Sequence, residues 1–299
     1  MNVSDFDFDL PEELIALRPA RPRDSARLLV VRGPEGRLED RGVRDLPGLL
    51  RRGDILVAND TRVLRAALPG RRAARADGPD VEIEVNLNTR VSPSEWSAFA
   101  RPGKRLKEGD TIRFGESLSA KVAAKSEAEV RLAFDRDGAM LDAAIEAAGA
   151  MPLPPYIASR RAPDETDASD YQTMFARETG SVAAPTAGLH FTPDLLNSLA
   201  AAGIRREMVA LHVNAGTFLP VKSDRIEDHR MHAEHAELSA ATASAIAVAH
   251  NAGHRCIPIG TTALRTLESA AGSGELKAFS GDTAIFITPG YKFRVADGL

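Results

Sequence analysis

The sequence predicts an α/β protein in which a mostly parallel sheet is combined with a small antiparallel β-barrel. Two observations carry this. Helix and strand signals alternate through the C-terminal half, the pattern of strands joined by helical crossovers. From about residue 66 to residue 135 the texture changes to short strands separated by Gly, Pro and Asp turns, a spacing that suits a small barrel.

In chain order, Leu10-Pro11-Glu12-Glu13-Leu14 predicts a short helix with proline near its start. Residues 27–31 read as a strand, Pro34 and Gly36 as a turn, and Ile55-Leu56-Val57 as an apolar strand run. Val81, Ile83, Val85 and Leu87 alternate with Glu82, Glu84 and Asn86, the period-two signal of a half-buried strand. Further short strands are expected near 96–99, 111–114, 118–122 and 130–134, with 103–110 as a polar barrel loop. A helix follows over 138–150, then a stiff proline-rich connector at 151–156. Residues 158–170 are charged and lack any period, which predicts a mobile surface loop. Thr192 is placed to cap a helix with Pro193 in its first turn, ending at Gly203. A strand over 207–213, a helix from Ser239 to about Gly253 and a strand over 255–259 come next. Thr261 or Thr262 is expected to cap a further helix to Ala271, and 284–288 to form the last strand.

The length of 299 residues allows two ordinary domains or one large one. A net charge of −4 excludes general polyanion binding by bulk electrostatics. Local basic groups remain, Arg71, Arg72 and Arg75 in one and Arg101, Lys104, Arg105 and Lys107 in another, each readable as solvated surface or as a nucleic-acid contact. The single cysteine, Cys256, excludes an intrachain disulfide and a cysteine metal cluster, and its apolar neighbours suggest packing. The N-terminus lacks a signal-peptide pattern and no apolar stretch approaches a membrane span, so a soluble, cytoplasmic monomer is expected.

Ligands of an open α/β sheet bind beyond the carboxyl ends of its strands. That rule selects Asn214-Ala215-Gly216-Thr217-Phe218, Gly260-Thr261-Thr262 and Pro289-Gly290, with the stretch from Ala184 through Thr186, Gly188 and His190 to Phe191 joining them. Gly260-Thr261-Thr262 reads equally as an anion site at a helix start or as a threonine cap. No G-x-G-x-x-G follows a strand, so a dinucleotide fold has no support. Asp228, His229, His232, Glu234 and His235 invite a metal reading, but the histidines spread too widely on a helix and H-E-x-x-H is absent. A polar active-site loop fits better, and no metal is expected. Asn59-Asp60-Thr61-Arg62 follows a strand run and reads either as an Asx turn or as a site in which Arg62 holds a carboxylate or phosphate.

Taken together and in order, these segments resemble the S-adenosylmethionine:tRNA ribosyltransferase-isomerase family. The resemblance rests on Asn59-Asp60-Thr61-Arg62-Val63, Met151-Pro152-Leu153-Pro154-Pro155-Tyr156-Ile157 and Tyr171-Gln172-Thr173. It rests also on Val182-Ala183-Ala184-Pro185-Thr186-Ala187-Gly188-Leu189-His190-Phe191, the 212–218 loop, Asp228-His229 with Met231-His232, and Gly260-Thr261-Thr262. Asn214 stands where the family usually has glycine, and family members continue for several dozen residues past the position of Leu299.

The resemblance implies an α/β domain built from both chain ends, 1–65 and 150–299, apparently without the family's C-terminal segment, with the barrel domain inserted at 66–149. It also implies a reaction in which the ribosyl part of S-adenosylmethionine passes to 7-aminomethyl-7-deazaguanine in a tRNA anticodon. The product is epoxyqueuosine, with adenine and methionine released; S-adenosylmethionine is a consumed co-substrate, and no prosthetic group is needed. The sulfonium acidifies the C5′ proton, so a base near neutral pKa suffices to remove it, and adenine needs a proton as it leaves. His190, His212, His229 and His232 are the acid–base candidates, with Asp228 or Glu234 orienting one of them. Asn59, Asp60, Thr61, Thr186, Gly188, Gly216, Thr217, Phe218, Gly260, Thr261 and Thr262 are expected to bind substrate. Arg62 and Arg265 are candidates for the methionyl carboxylate or a tRNA phosphate, although Arg265 and Glu268 also suit a helix-surface pair. Competing readings are a relative that binds tRNA or nucleoside without catalysis, and a methyltransferase using the same co-substrate.

Overall fold

The computed structural model describes residues 1–33, 36–75, 78–127 and 129–299. The expected turn at Pro34 and Gly36 is described only at Gly36, since Pro34 lies outside these residues; Gly36 takes a φ of 64°. It closes an antiparallel hairpin of β1 (Arg27–Arg32) and β2 (Arg37–Gly42). The helix expected at 10–14 is a single 3-10 turn, Glu12–Leu14; Pro19 and Pro22 soon after it disfavour helical continuation.

After the short helix α1 (Leu46–Leu49) comes β3 (Ile55–Asn59), buried along its whole length. Ile55 and Val57 pack on one face of the sheet, and Leu56 and Ala58 on the other. That is why its sequence is a continuous apolar run rather than an alternation. The brief strand β4 (Thr61–Val63) leads into the barrel. β5 (Ala67–Arg72), β6 (Val81–Ser92), β7 (Glu95–Arg101), β8 (Thr111–Phe114), β9 (Leu118–Lys125) and β10 (Val130–Phe134) close in the order β10-β7-β6-β5-β8-β9. Ile83, Val85 and Leu87 fill the interior with Ile112, Phe114 and Leu132. α2 (Gly138–Ala148) adds Leu141 and Ile145 to the same core.

The chain then returns to β3. The turns α3 (Pro155–Ala158) and α4 (Asp167–Asp170) precede β11 (Glu178–Ser181), which pairs in parallel with β4. α5 (Pro193–Ala201) follows, capped by Thr192 accepting from the Leu195 amide at 3.2 Å. β12 (Arg205–Leu211) and β14 (Cys256–Pro258) lie in parallel on either side of β3, so strands from opposite ends of the chain are neighbours. Beyond β12 the sheet turns antiparallel, through β13 (Glu234–Leu238) and β15 (Phe279–Thr283), giving the order β14-β3-β12-β13-β15. β13 is antiparallel because the chain reaches it through an irregular segment instead of a helical crossover. α6 (Ala240–Asn251), capped by Ser239, and α7 (Gly260–Ala270) cover the face carrying Ile55 and Val57.

Two expectations are corrected. The last strand is Phe279–Thr283 and not 284–288, because its partner β13 begins at Glu234, opposite Thr283, leaving later residues nothing to pair with. Residues 158–170, expected to be a loose loop, are fastened by three arginines remote in sequence and by Arg161 within the segment. Arg18 pairs with Asp164 and bonds Asp167 at 3.0 Å, Arg21 holds Asp170 at 3.0 Å, and Arg161 holds Asp167 at 2.6 Å. Arg23 donates to the carbonyls of Ser169, Gln172 and Leu189. Among the described residues no helix is long and apolar enough to cross a membrane.

The C-terminal strap depends on one carboxylate. Glu268, 1% exposed, accepts from the Tyr291 hydroxyl and from the amides of Arg294, Val295 and Ala296 at 2.9–3.1 Å. Glu268→Ala strands three backbone donors, so urea titration is expected to show a loss of about 3 kcal/mol. An unchanged midpoint would rule out this anchoring role.

Candidate active site

The carboxyl edge of the sheet is organised by a buried polar network. Asn59, at the end of β3, donates to the Leu211 carbonyl at 3.0 Å and accepts from the Leu211 amide at 3.0 Å. Thr61 donates to the same carbonyl at 3.2 Å, and Ser181 donates to Thr61 at 2.7 Å while accepting from the Val213 amide at 3.0 Å. Asn59 and Thr61, read from sequence as substrate contacts, are thus enclosed and face neither hollow described below. Their effect is to fix where the 212–218 loop leaves β12.

The first residues of that loop are extended and point alternately to its two sides. Val213, Thr217 and Phe218 line a hollow of about 570 Å³, while His212 and Asn214 line a second of about 350 Å³.

The first hollow unites three of the loops selected from sequence. Thr186 stands on one wall, Thr217 and Phe218 on another, and Gly260, Thr261 and Thr262 at the base, where α7 begins. The helix starts one residue before the threonine cap expected from sequence. Ile259 is at the cap position and makes no side-chain cap bond to the first turn. Gly260 takes a φ of 82°, and a Cβ there would lie 2.8 Å from that of Ala187, so only glycine lets the 186–190 turn rest on the helix start. Tyr156 and Tyr171 complete the walls. Burial pushes the Tyr171 phenol above the ordinary tyrosine value, so it stays protonated. Neither tyrosine was singled out as a site residue from sequence, although both belong to the segments that carry the resemblance. Gly188 sits behind this wall against Thr173 and Phe175, and His190, exposed in the same turn, contacts the Ala187 carbonyl at 3.2 Å.

The second hollow lies between the barrel and the sheet. His212 is half-buried there, and burial pushes its imidazole below the ordinary histidine value, partly offset by Glu237. Gly180, φ 146°, makes room for it: a Cβ would stand 2.6 Å from Nδ1 of His212. The His212 and His235 rings stack with centroids 6.2 Å apart. Asn88, Arg90 and Trp96 form the barrel wall. The bond from the Ala215 amide to Asn88, 2.9 Å, ties that wall to the loop.

The other residues selected from sequence lie elsewhere. Arg62 pairs with Glu146 of α2 at 3.2 Å. Arg265 pairs with Glu234, which also accepts from the Asn214 amide at 3.1 Å, so this buried pair braces the loop against α7. Glu234 therefore orients no histidine, and Arg265 does not pair with Glu268. His232 packs on Gly216, whose Cβ would come within 2.8 Å of the ring. His229 sits edge-on to Phe286, 5.1 Å between centroids, beside Pro289 in a separate depression; Asp228 is exposed nearby. Among the described residues no three His, Cys, Asp or Glu side chains gather as a metal-ligand set. Asp60 is half-buried, one carboxylate oxygen lacks a partner, and burial followed by the charge of Glu178 raises its pKa.

A sequence model of the family described as queuosine biosynthesis protein matches residues 3–299. The chain is similar to the S-adenosylmethionine:tRNA ribosyltransferase-isomerase of Caulobacter sp. (strain K31), at 59% identity over 314 residues, covering 100% of this chain and 84% of that protein. To the protein of the same name from Maricaulis maris (strain MCS10) it is 60% identical over 303 residues, covering 100% and 86%. Among solved structures, the S-adenosylmethionine tRNA ribosyltransferase of Thermotoga maritima matches at 28% identity and a TM-score of 0.49, covering 98% of this chain and 82% of that one.

The raised pKa of Asp60 means that its charged form is disfavoured in the folded state. Its stabilising contribution is full below the unfolded value and lost as pH rises through the folded one. Asp60→Asn is therefore expected to melt higher than wild type at about pH 8 and equally at about pH 3. A lower melting temperature at the alkaline pH would show that the carboxylate has a stabilising partner.

Proposed function

The chain belongs to the queuosine biosynthesis protein family, and from that membership we propose that it is an S-adenosylmethionine:tRNA ribosyltransferase-isomerase. Its reaction on this reading is transfer of the ribosyl part of S-adenosylmethionine to 7-aminomethyl-7-deazaguanine in a tRNA anticodon, giving epoxyqueuosine, adenine and methionine. The two-domain division belongs to the same proposal, with 1–65 and 150–299 carrying the site and 66–149 the inserted barrel.

The observation that carries the reading is the first hollow, whose volume of about 570 Å³ suits a nucleoside-sized ligand. S-adenosylmethionine brings a purine, a ribose and a carboxylate. Tyr156 offers a face for the purine, Thr186 and Thr217 offer hydroxyls for the ribose, and the uncapped first turn of α7 at Gly260-Thr261-Thr262 offers amides and a positive dipole end for the carboxylate. That last role replaces the one expected of Arg62 and Arg265, both held in ion pairs.

The acid–base work falls to His190, in the turn beside this hollow, and to His212, which lines the second hollow and on this reading acts at the rim of the 212–218 loop that separates the two. His190 shares the turn of Thr186, and His212 adjoins Val213. A base acting on the C5′ proton has to be unprotonated, and the burial of His212 favours that form. His229 and His232, packed on Phe286 and Gly216, are less well placed.

Purified protein with S-adenosylmethionine and tRNA carrying the aminomethyl base is expected to release adenine and methionine, and no S-adenosylhomocysteine. Failure of a folded protein to release adenine with this tRNA would overturn the proposal. His212→Ala is expected to lower kcat by about 10²–10⁴-fold. If alanine at each of the four histidines leaves turnover within about tenfold, the acid–base assignment is wrong. With His212 as base, kcat/KM is expected to fall on the acid side with a midpoint below 6.5, since its folded pKa lies under that value.

A further inference from the structure

With S-adenosylmethionine assigned to the first hollow, the second is still without an occupant. Two of its acidic groups are already neutralised, Glu234 by Arg265 and Asp142 by Arg90. The rim around the paired imidazoles keeps an acidic excess. Asp282 contacts Nδ1 of His235 at 3.2 Å, Glu237 contacts Nε2 at 3.3 Å, and Glu178 and Glu237 both act on His212. Such a rim attracts a cation and repels phosphate.

The barrel wall has a different character. The Arg90 guanidinium lies 5.2 Å from the centre of the Trp96 ring, and bases taken out of a stack bind against such planar groups. Trp96 is 2% exposed, lines the hollow, and has an indole N–H with no partner. The volume of about 350 Å³ leaves room for a purine-sized ring system but not for a long ligand.

We propose that the second hollow receives an unstacked purine-like base bearing a primary ammonium group, its ring against the Arg90 guanidinium, which Trp96 backs, and its ammonium toward Asp282 and Glu237. This rests on the reading above, in which such a base is the acceptor. The two substrates then approach from opposite sides of the 212–218 loop, with the bond to be formed at its rim. It also gives a reason for an acidic surface in a protein that handles nucleic acid: the ammonium distinguishes the modified base from guanine.

The test compares the affinities of two tRNAs, one carrying 7-aminomethyl-7-deazaguanine and one carrying guanine at the same position, for wild type and for the double variant Glu237→Gln, Asp282→Asn. Both residues are more than half exposed, 54% and 72%, so the variant is expected to fold. Wild type should prefer the modified tRNA by about fivefold or more, and the variant should lose that preference while binding the guanine tRNA as before. Unchanged affinity for the guanine tRNA shows that the fold and the general tRNA contacts survive. A preference that persists in the variant overturns the proposal, as does a wild type that releases adenine yet shows no preference. A wild type that releases no adenine with the modified tRNA fails at the earlier step, and the proposal falls with that reading.

Discussion

Everything at the carboxyl edge of the sheet depends on how the backbone of Leu211 is held. Both its amide and its carbonyl are bonded by Asn59, the carbonyl also accepts from Thr61, and Ser181 completes the set by binding the next strand-end amide at Val213. Three remote segments meet there: two supply the short polar side chains of Asn59, Thr61 and Ser181, and the third supplies the backbone of Leu211 and Val213 where the sheet ladder stops. Buried donors and acceptors of this kind stabilise little when made and cost roughly 1–3 kcal/mol each when broken, so the junction tolerates few alternatives. Because it sets the direction in which residue 212 departs, it also sets which loop residues face each hollow.

The fold was legible wherever hydrophobic period and burial are the same thing. The unbroken apolar run of β3, the alternation along β6 and the threonine and serine caps of α5 and α6 all express a local rule that the structure obeys. Charged residues were harder to read because their partners are chosen by tertiary placement. Nothing near Arg62 in the sequence announces Glu146, and nothing near Asp164 or Asp167 announces Arg18. An expected loop thereby became a fastened wall, and two candidate anion binders proved to be braces.

The loops of the first hollow were found from sequence because glycine and threonine after a strand mark close backbone approach, and 184–187, 217–218 and 260–262 do come together. Pro289-Gly290 did not join them, since the strand expected before it ends earlier. The second hollow was not legible. His212 was visible, but Gly180, which makes space for its ring, and Trp96, which faces it from the barrel, carry no pattern of their own. Their meaning comes from the barrel lying against the sheet, a relation that no local window contains.

The central position of β3 has a consequence for synthesis. Ile55 pairs with both Arg205 and Cys256, so this buried strand, apolar from Ile55 to Ala58, leaves the ribosome long before either neighbour exists. The barrel strands that follow find all their partners within 67–134 and can close early, whereas β3 has to wait with two bare edges. At a translation speed of about 5–20 residues per second, the wait for residue 205 is on the order of ten seconds or more. An aggregation-prone segment is therefore exposed for the time it takes to make the middle of the protein, and slow synthesis or a shortage of chaperone should harm this chain more than its modest size suggests.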